Sequence, residues 1–274
     1  MVQNDPIRVW ARLVGHKDDE IDLAEAALLI AQTEYPNLDI GAELARLDQL
    51  AARVRLPEDG SPLSNIEALN EFLFEKEKFA GNEEEYDDPR NSYLNDVLDR
   101  RQGIPITLSL IYTEVGQRHG LPVLGVGFPG HFLVKYLTGT SEILIDAYNR
   151  GAILSSENCE ERLKQHFGLE AKLKPEFLAA STRKQILTRM LSNLKGSYFR
   201  RQNFPKVLTM IELSLAVDPG SSQDVRDRGM VYFAMRRYGA AMADFEAYLK
   251  ISSREDPHVP EVLQAIHRIR ALMN

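Results

Sequence analysis

The sequence predicts an α+β protein that ends in an all-α region. Three patterns indicate this class: apolar residues recur every three or four positions in the N-terminal part, short Val-rich apolar runs follow Leu121, and a helical pattern repeats near the C-terminus. A chain of 274 residues is long enough for two domains.

The N-terminal part is predicted to be helical. The spacing of its apolar residues indicates three helices, at 20–34, 40–55 and 64–77. Proline-containing turns at 35–37 and 57–62 separate them, because proline disfavours helix in the residue before it.

The middle of the chain is predicted to hold a buried helix followed by an antiparallel sheet. Pro105 suits the first position of a helix, where its missing N–H has no intrahelical partner, and the apolar stretch to about Arg118 indicates burial. Three strands follow, at 121–128, 131–136 and 142–148, and a Gly-containing turn joins the last two as a hairpin.

The C-terminal part contains an internal repeat. Gly196, Phe199, Phe204 and Ile211 recur 33 or 34 residues later as Gly229, Tyr232, Tyr238 and Phe245. This placement resembles the tetratricopeptide repeat, a helix-turn-helix unit of 34 residues. We therefore expect two repeats and a terminal helix at 260–273, with an irregular helical bundle as the alternative.

Charge supports a domain boundary near residue 180. Residues 181–274 contain 15 Lys and Arg against 9 Asp and Glu, a charge of +6, which leaves −13 of the total of −7 for residues 1–180. The predicted domains are therefore a helical and α+β domain at 1–180 and a repeat domain at 181–274.

The basic C-terminal part has two interpretations. It either contacts an acidic partner or packs against the acidic part of the same chain. The cations that would contact an acidic ligand are Arg183, Lys184, Arg200, Arg201, Arg236 and Arg237. Nucleic acid is a disfavoured partner, because no platform of interleaved aromatic residues is visible.

The composition excludes several other classes of protein. Cys159 is the only cysteine and cannot form an intrachain disulfide, and the six histidines are too scattered to suggest a metal site. No cofactor is predicted, since Gly125 and Gly127 lack the following helix and third glycine of a dinucleotide site. The charged N-terminus is no signal peptide and no apolar run suits a membrane span, so we expect a cytoplasmic protein with no membrane partner.

Two polar residues of the predicted sheet are candidates for chemistry. A four-residue hairpin loop at 137–140 would place His131 directly across from Asp146. A two-residue loop at Gly139–Thr140 would leave the two residues diagonal to each other on one face of the sheet. A three-residue loop would place them on opposite faces. A carboxylate beside a histidine fixes its tautomer and stabilises the imidazolium, as in a catalytic triad.

A triad also needs a nucleophile, which we expect at the N-terminus of the helix that packs on the sheet, where the helix dipole lowers a thiol pKa. The sequence there is Gly-Ile-Pro-Ile-Thr-Leu-Ser, from Gly103 to Ser109, and it contains no cysteine. Thr107 and Ser109 are the hydroxyl candidates. Cys159 follows the Asp146 strand, and we interpret it as a small helical residue.

The chain closely resembles the bacterial SirB-type proteins, which join a transglutaminase-like core to C-terminal tetratricopeptide repeats. The resemblance is carried by NSYLNDVLDRRQGIPITLSLIYTEVGQRHGLPVLGVGFPGHFLV and ILIDAYNRG, with LLIAQTEYP and LNEFLFEKEKFAGN upstream. It implies a papain-like α+β core and relates His131 and Asp146 to the His and Asp of transglutaminase-type triads. It also implies a catalytic Cys between Pro105 and Thr107, where this chain has Pro, Ile and Thr.

The sequence leaves three functional hypotheses. The first is a binding or regulatory scaffold with a degenerate transglutaminase-like site, whose repeats bind an unknown protein or peptide. The second is a hydrolase or acyl transferase that acts on a peptide or amide through Thr107 or Ser109, with His131 and Asp146. The third is binding of an acidic ligand by the basic part. We expect the first, and therefore a protein without enzymatic activity.

Overall fold

The structure is a computed structural model that describes residues 6–58, 60–139, 141–253 and 255–273. It confirms the predicted α+β class: helices predominate, and the sheet is small and antiparallel. The chain divides into two compact units, one from Lys17 to Met190 and one that joins the residues up to His16 with those from Leu191 onward. These units differ from the predicted domains at both ends of the first one.

The first unit contains six α-helices in its described residues: α2 (Leu23–Gln32), α3 (Ile40–Ala52), α4 (Pro62–Asn70), α5 (Leu94–Arg100), α6 (Pro105–Arg118) and α7 (Ser156–Phe167). A π-helical segment, Glu71–Lys76, continues α4. Side chains of Asp22, Asp39 and Ser61 accept backbone N–H groups at the starts of α2, α3 and α4. These caps explain where the three helices begin.

The main sheet has four antiparallel strands in chain order: β3 (Val123–Val126), β4 (Leu133–Leu137), β5 (Glu142–Asp146) and β6 (Ala152–Leu154). The sequence analysis did not predict β6, which is short and largely exposed. It also did not predict the small parallel pair β1 (Ala80–Gly81) and β2 (Gln102–Gly103).

The hairpin between β4 and β5 has the shortest of the three loops considered. Leu137 pairs with Glu142, and the N–H of Thr138 donates to the carbonyl of Ser141 at 2.9 Å. The loop is therefore the two-residue one, of which Thr140 lies outside the described residues, and the four-residue loop 137–140 is wrong. Gly139 adopts a positive φ of 87°, which suits a turn this tight.

A second correction concerns His131, which was predicted to lie on a strand. The strand β4 begins only at Leu133. The N–H of His131 donates to the carbonyl of Phe128 at 3.0 Å, and Gly130 has a positive φ of 72°. His131 therefore belongs to the turn that precedes the strand.

Helix α6 is the central element of this unit. Every residue from Pro105 to Gly116 is buried, as its apolar sequence predicted. The helix packs against α3 on one side and against β3 and β4 on the other. Its first residue lies two positions after β2, so the small parallel pair leads directly into it.

The second unit contains the predicted repeats. Its helices are α9 (Phe204–Val217), α10 (Ser222–Ala234), α11 (Tyr238–Ile251) and α12 (Val259–Met273), and α8 (Arg183–Arg200) leads into them. An aromatic pair spans each turn: Phe199 with Phe204 at 6.2 Å and Phe233 with Tyr238 at 6.0 Å between ring centroids. The structural counterpart of Phe199 is thus Phe233, 34 residues later, and not Tyr232 as predicted.

An N-terminal helix, α1 (Pro6–Val14), completes the second unit and was not predicted as part of it. It packs on α9, and the buried indole N–H of Trp10 donates to the carbonyl of Leu213 at 2.9 Å. Among the described residues, no helix combines the length and the apolar character needed to span a membrane.

Candidate functional site: a histidine–aspartate pair beside helix α6

The structure brings His131 and Asp146 together. The imidazole Nε2 lies 2.9 Å from the carboxylate Oδ1 of Asp146. Asp146 is the last residue of β5 and His131 precedes β4 by two residues. Since Val134 pairs with Ile145, the two side chains are diagonal neighbours across the hairpin.

Asp146 is fully buried and accepts several hydrogen bonds besides that of His131. Arg162 of α7 approaches Oδ2 at 2.6 Å, and the side-chain amide of Asn149 donates to the same oxygen at 2.7 Å. The backbone N–H groups of Tyr148 and Asn149 donate to Oδ1. Burial raises the pKa of Asp146, but the hydrogen bond and charge of His131, with Asn149 and Arg162, lower it to about 2. Asp146 is therefore a carboxylate at neutral pH.

The hydrogen bond to Asp146 fixes the tautomer of the His131 imidazole. With Nε2 donating to Asp146, the neutral ring carries its lone pair on Nδ1. The His131 side chain is 15% exposed, so solvent reaches part of the ring. This arrangement could accept a proton from a neighbouring nucleophile if one were present.

An aromatic side chain borders the pair. The ring of Tyr148 stands edge-on to His131, with 6.0 Å between centroids, and Tyr86 stands edge-on to Tyr148 at 6.3 Å. Tyr148 also packs on Gly81 so closely that a Cβ atom there would lie 2.5 Å from the ring. Because Gly81 pairs with Gly103 just before α6, the ring lies beside the segment that enters this helix.

The two candidate hydroxyls lie within the buried part of α6. The Oγ1 atom of Thr107 lies 2.7 Å from the carbonyl of Asn91 and accepts the N–H of Ile104 at 3.1 Å. Ser109 is also fully buried, and its Oγ has no hydrogen-bond partner among the described residues. The structure thus does not join either hydroxyl to His131 by a hydrogen bond.

Comparison with known proteins agrees with this geometry. A family profile described as the transglutaminase-like superfamily matches residues 42–192, which include α6, His131 and Asp146. The chain belongs to the transglutaminase-like superfamily. A tetratricopeptide repeat profile matches residues 194–274 of the same chain.

Relatives of the transglutaminase-like protein cover most of its length. A UPF0162 protein of Xylella fastidiosa (strain Temecula1 / ATCC 700964) is 34% identical over 92% of this chain and 91% of its own. A UPF0162 protein of Vibrio cholerae is 30% identical over 85% of this chain and 87% of its own. F-box only protein 21 of Homo sapiens is 31% identical over 61% of this chain but only 28% of its own length.

The cysteine of this transglutaminase-like core is not part of α6. Cys159 is on α7, fully buried among Val126, Phe128 and Leu133. Burial raises the pKa of its thiol above the usual value. The charge of Arg162 offsets part of this increase, and the charge of Asp146 adds to it. A thiol in this environment is a poor nucleophile. The sequence analysis did not predict a role for Arg162, the neighbour of Cys159. The only indication in the sequence was that Arg162 lies one turn after Cys159 on the same helix.

The tetratricopeptide repeats contain a groove of about 440 Å³ that is lined by α8, α9, α10 and the start of α12. Its apolar lining includes Phe199, Val207, Met230 and Val231. Lys195 bridges Asp224 and Asp227, with 2.7 Å to each carboxylate, and so ties α8 to α10 beside the groove.

The six predicted cations do not form one cluster, because Arg183 and Lys184 lie at the start of α8 and the other four lie at turns of the repeats. Arg200 and Arg201 lie at the turn after α8, and Arg236 and Arg237 at the turn after α10. The Arg183 guanidinium, at the start of α8, donates to the carbonyls of Asp19 and Ile21. In the part of the chain that the structure describes, no three His, Cys, Asp or Glu side chains are grouped to hold a metal ion.

Proposed function

We propose that this transglutaminase-like protein, of the SirB type by its sequence motifs, is an adaptor that binds a partner protein through its repeats. Its core is retained as a scaffold, with a histidine–aspartate pair that no longer serves a nucleophile. The assignment to the cytoplasm is part of this proposal.

The observation that carries the proposal is the burial of the start of α6. The sequence from Pro105 to Thr107 has no thiol, and the hydroxyls of Thr107 and Ser109 are both excluded from solvent. A substrate carbonyl would have no access to either oxygen. Loss of a triad nucleophile reduces a rate by several orders of magnitude.

The partner site that we propose is the groove of the repeats. Helical repeats stack into surfaces that suit extended segments, and the apolar residues Phe199 and Met230 line this one. Phe199 is 56% exposed, so its ring is accessible to a partner segment in the groove.

Site-specific photo-crosslinking tests the adaptor proposal. A photoreactive phenylalanine analogue replaces Phe199 in the full-length protein, and a control chain carries it at Leu263, which is also exposed, on α12. In extracts of the source cells, we expect a cross-linked protein from position 199 only. That protein, identified by mass spectrometry and purified, should bind the wild type more tightly than a Met230→Lys variant.

Three outcomes would contradict the proposal. Identical cross-links from both positions, or equal binding by the Met230→Lys variant, would exclude the groove. Labelling of Thr107 or Ser109 by a fluorophosphonate, abolished by His131→Ala, would instead support the hydrolase or acyl transferase. The burial of both hydroxyls counts against labelling by the fluorophosphonate.

A further inference from the structure

Two turns of the repeat unit carry cations without neighbouring acids in the sequence. No Asp or Glu occurs between Lys195 and Glu212, or between Asp227 and Asp244. The first interval contains Arg200, Arg201 and Lys206, and the second contains Arg228, Arg236 and Arg237. The acids nearest in sequence, Glu212 and Asp244, lie in α9 and α11, and Asp218 and Asp256 lie in the loops that follow these two helices.

The topology places both turns at the same end of the array. Four residues, 218–221, join α9 to α10, and the two helices pack together. Helices joined by so short a loop are antiparallel neighbours, so the end of α10 lies beside the start of α9. The turn with Arg200 and Arg201 is thus adjacent to the turn with Arg236 and Arg237. We call these four residues the arginine face.

The arginine face is open to solvent, and two of its guanidinium groups are not paired with an acid in the described part of the chain. All four residues are exposed, and the described acidic side chains form no ion pair with Arg201 or Arg236. Arg237 lies over the ring of Tyr232, with 4.6 Å from the guanidinium carbon to the centroid. The Arg237 side chain, at the N-cap of α11, makes no capping hydrogen bond to this helix, and the dipole of α11 adds positive potential there.

We propose that the arginine face binds an acidic protein segment that continues from the groove. The two surfaces are contiguous, since Phe199 and Arg200 line the groove and Arg200 belongs to the arginine face. A segment with apolar residues in the groove would thus place its flanking carboxylates at the guanidinium groups. This inference rests on the proposed adaptor function and specifies the chemistry of the partner.

The aromatic residues at this end favour a protein over a nucleic acid. Arg237 covers Tyr232, and the rings of Phe233 and Tyr238 are turned toward each other at 6.0 Å. These rings are therefore unsuited to stacking with successive bases, which binding of single strands requires.

A synthetic probe tests the charge requirement. A fluorescein-labelled 16-residue peptide with the repeated sequence Glu-Leu-Asp-Phe is titrated with full-length protein at 50 and 200 mM NaCl, and anisotropy is measured. We expect binding that weakens with salt. The variant R201Q/R236Q/R237Q should bind about tenfold more weakly, because three rim charges each contribute a fraction of a kcal/mol.

The matched control K78Q/K172Q/K250Q removes the same charge at exposed lysines outside the arginine face, and it should bind as the wild type does. Circular dichroism verifies that both variants are folded. Equal affinity of the two variants, or no binding of the peptide by the wild type, would overturn the inference. Tighter binding of a 20-nucleotide single strand or of phosphatidylserine vesicles than of the peptide would also overturn it.

These outcomes separate the inference from the adaptor function. A purified partner that needs Met230 but binds R201Q/R236Q/R237Q normally would leave the adaptor proposal intact and refute the arginine face. If cross-linking identifies no groove partner while the acidic peptide still depends on the three arginines, the adaptor proposal fails and the arginine face stands.

Discussion

At the scale of single residues, Asp146 is the side chain on which the candidate site depends. A fully buried carboxylate is costly unless its charge and lone pairs are satisfied. Here His131, Arg162 and Asn149 satisfy them from three different segments: the turn before β4, helix α7 and the turn after β5. The residue therefore holds the site together, whether or not it once served in catalysis.

We expect Asp146→Asn to destabilise the protein in a pH-dependent way. Folding lowers the pKa of Asp146 from 3.8 to about 2, so its ionisation stabilises the fold fully above pH 4 and less as the pH falls to 2. The variant should lose roughly 2 kcal/mol of unfolding free energy at pH 7 and much less near pH 2. Urea unfolding at several pH values measures this. Glu75→Gln, which breaks an exposed pair with Arg150, is the control and should leave the free energy of unfolding nearly unchanged.

At the scale of elements, the turn from β5 to β6 shows how closely the sheet packs against the end of α4. Gly151 has a positive φ of 77°, and its carbonyl accepts the side-chain N–H of Asn70 at 2.9 Å. A Cβ atom at Gly151 would lie 1.9 Å from Oδ1 of Asn70. Glycine is thus required there both for backbone conformation and for space.

Comparison of two glycine variants separates these requirements. Gly139 also has a positive φ, of 87°, but open space around its Cβ position. Gly139→Ala should therefore cost about 1 kcal/mol, from backbone strain alone. Gly151→Ala should cost about 3 kcal/mol, because Asn70 must also move. Denaturant unfolding of both variants measures the difference, and equal losses would show that the Asn70 contact is unimportant.

At the scale of the whole molecule, the chain begins and ends in the same compact unit. Helix α1 precedes the transglutaminase-like core, yet it packs on α9 of the repeats. The hydrogen bond from Trp10 to Leu213 links residues 203 positions apart. Short repeat arrays need a cover for their apolar faces, and α1 supplies one for α9.

Trp10→Ala should therefore destabilise the repeats selectively. Removal of a buried tryptophan costs about 3–5 kcal/mol, whereas Trp10→Phe keeps most of the packing and should cost about 1 kcal/mol for the hydrogen bond. Hydrogen exchange measured by mass spectrometry should show faster exchange in α9 and unchanged exchange in α6. Faster exchange in α6 but not in α9 would contradict the assignment of α1 to the repeat unit.

Local patterns in the sequence were sufficient for much of this architecture. Proline at position 105 and the apolar residues after it predict the bounds of α6, since these depend on neighbours along the chain. For the hairpin, two of the three loop lengths considered place His131 and Asp146 on one face, and the sequence did not choose among the three. The 34-residue spacing predicts the repeats because each unit repeats the same local contacts.

Only the tertiary structure decided the register, the turn position of His131 and the distant partners of the site. Arg162 contacts Asp146, and Gly81 packs on Tyr148, which borders His131, and nothing in the local sequence of Arg162 or Gly81 shows these contacts. Likewise, the apolar pattern of α1 does not show that this helix packs on α9. Periodicity records which face of an element is apolar, whereas the partner of that face depends on how the whole chain packs.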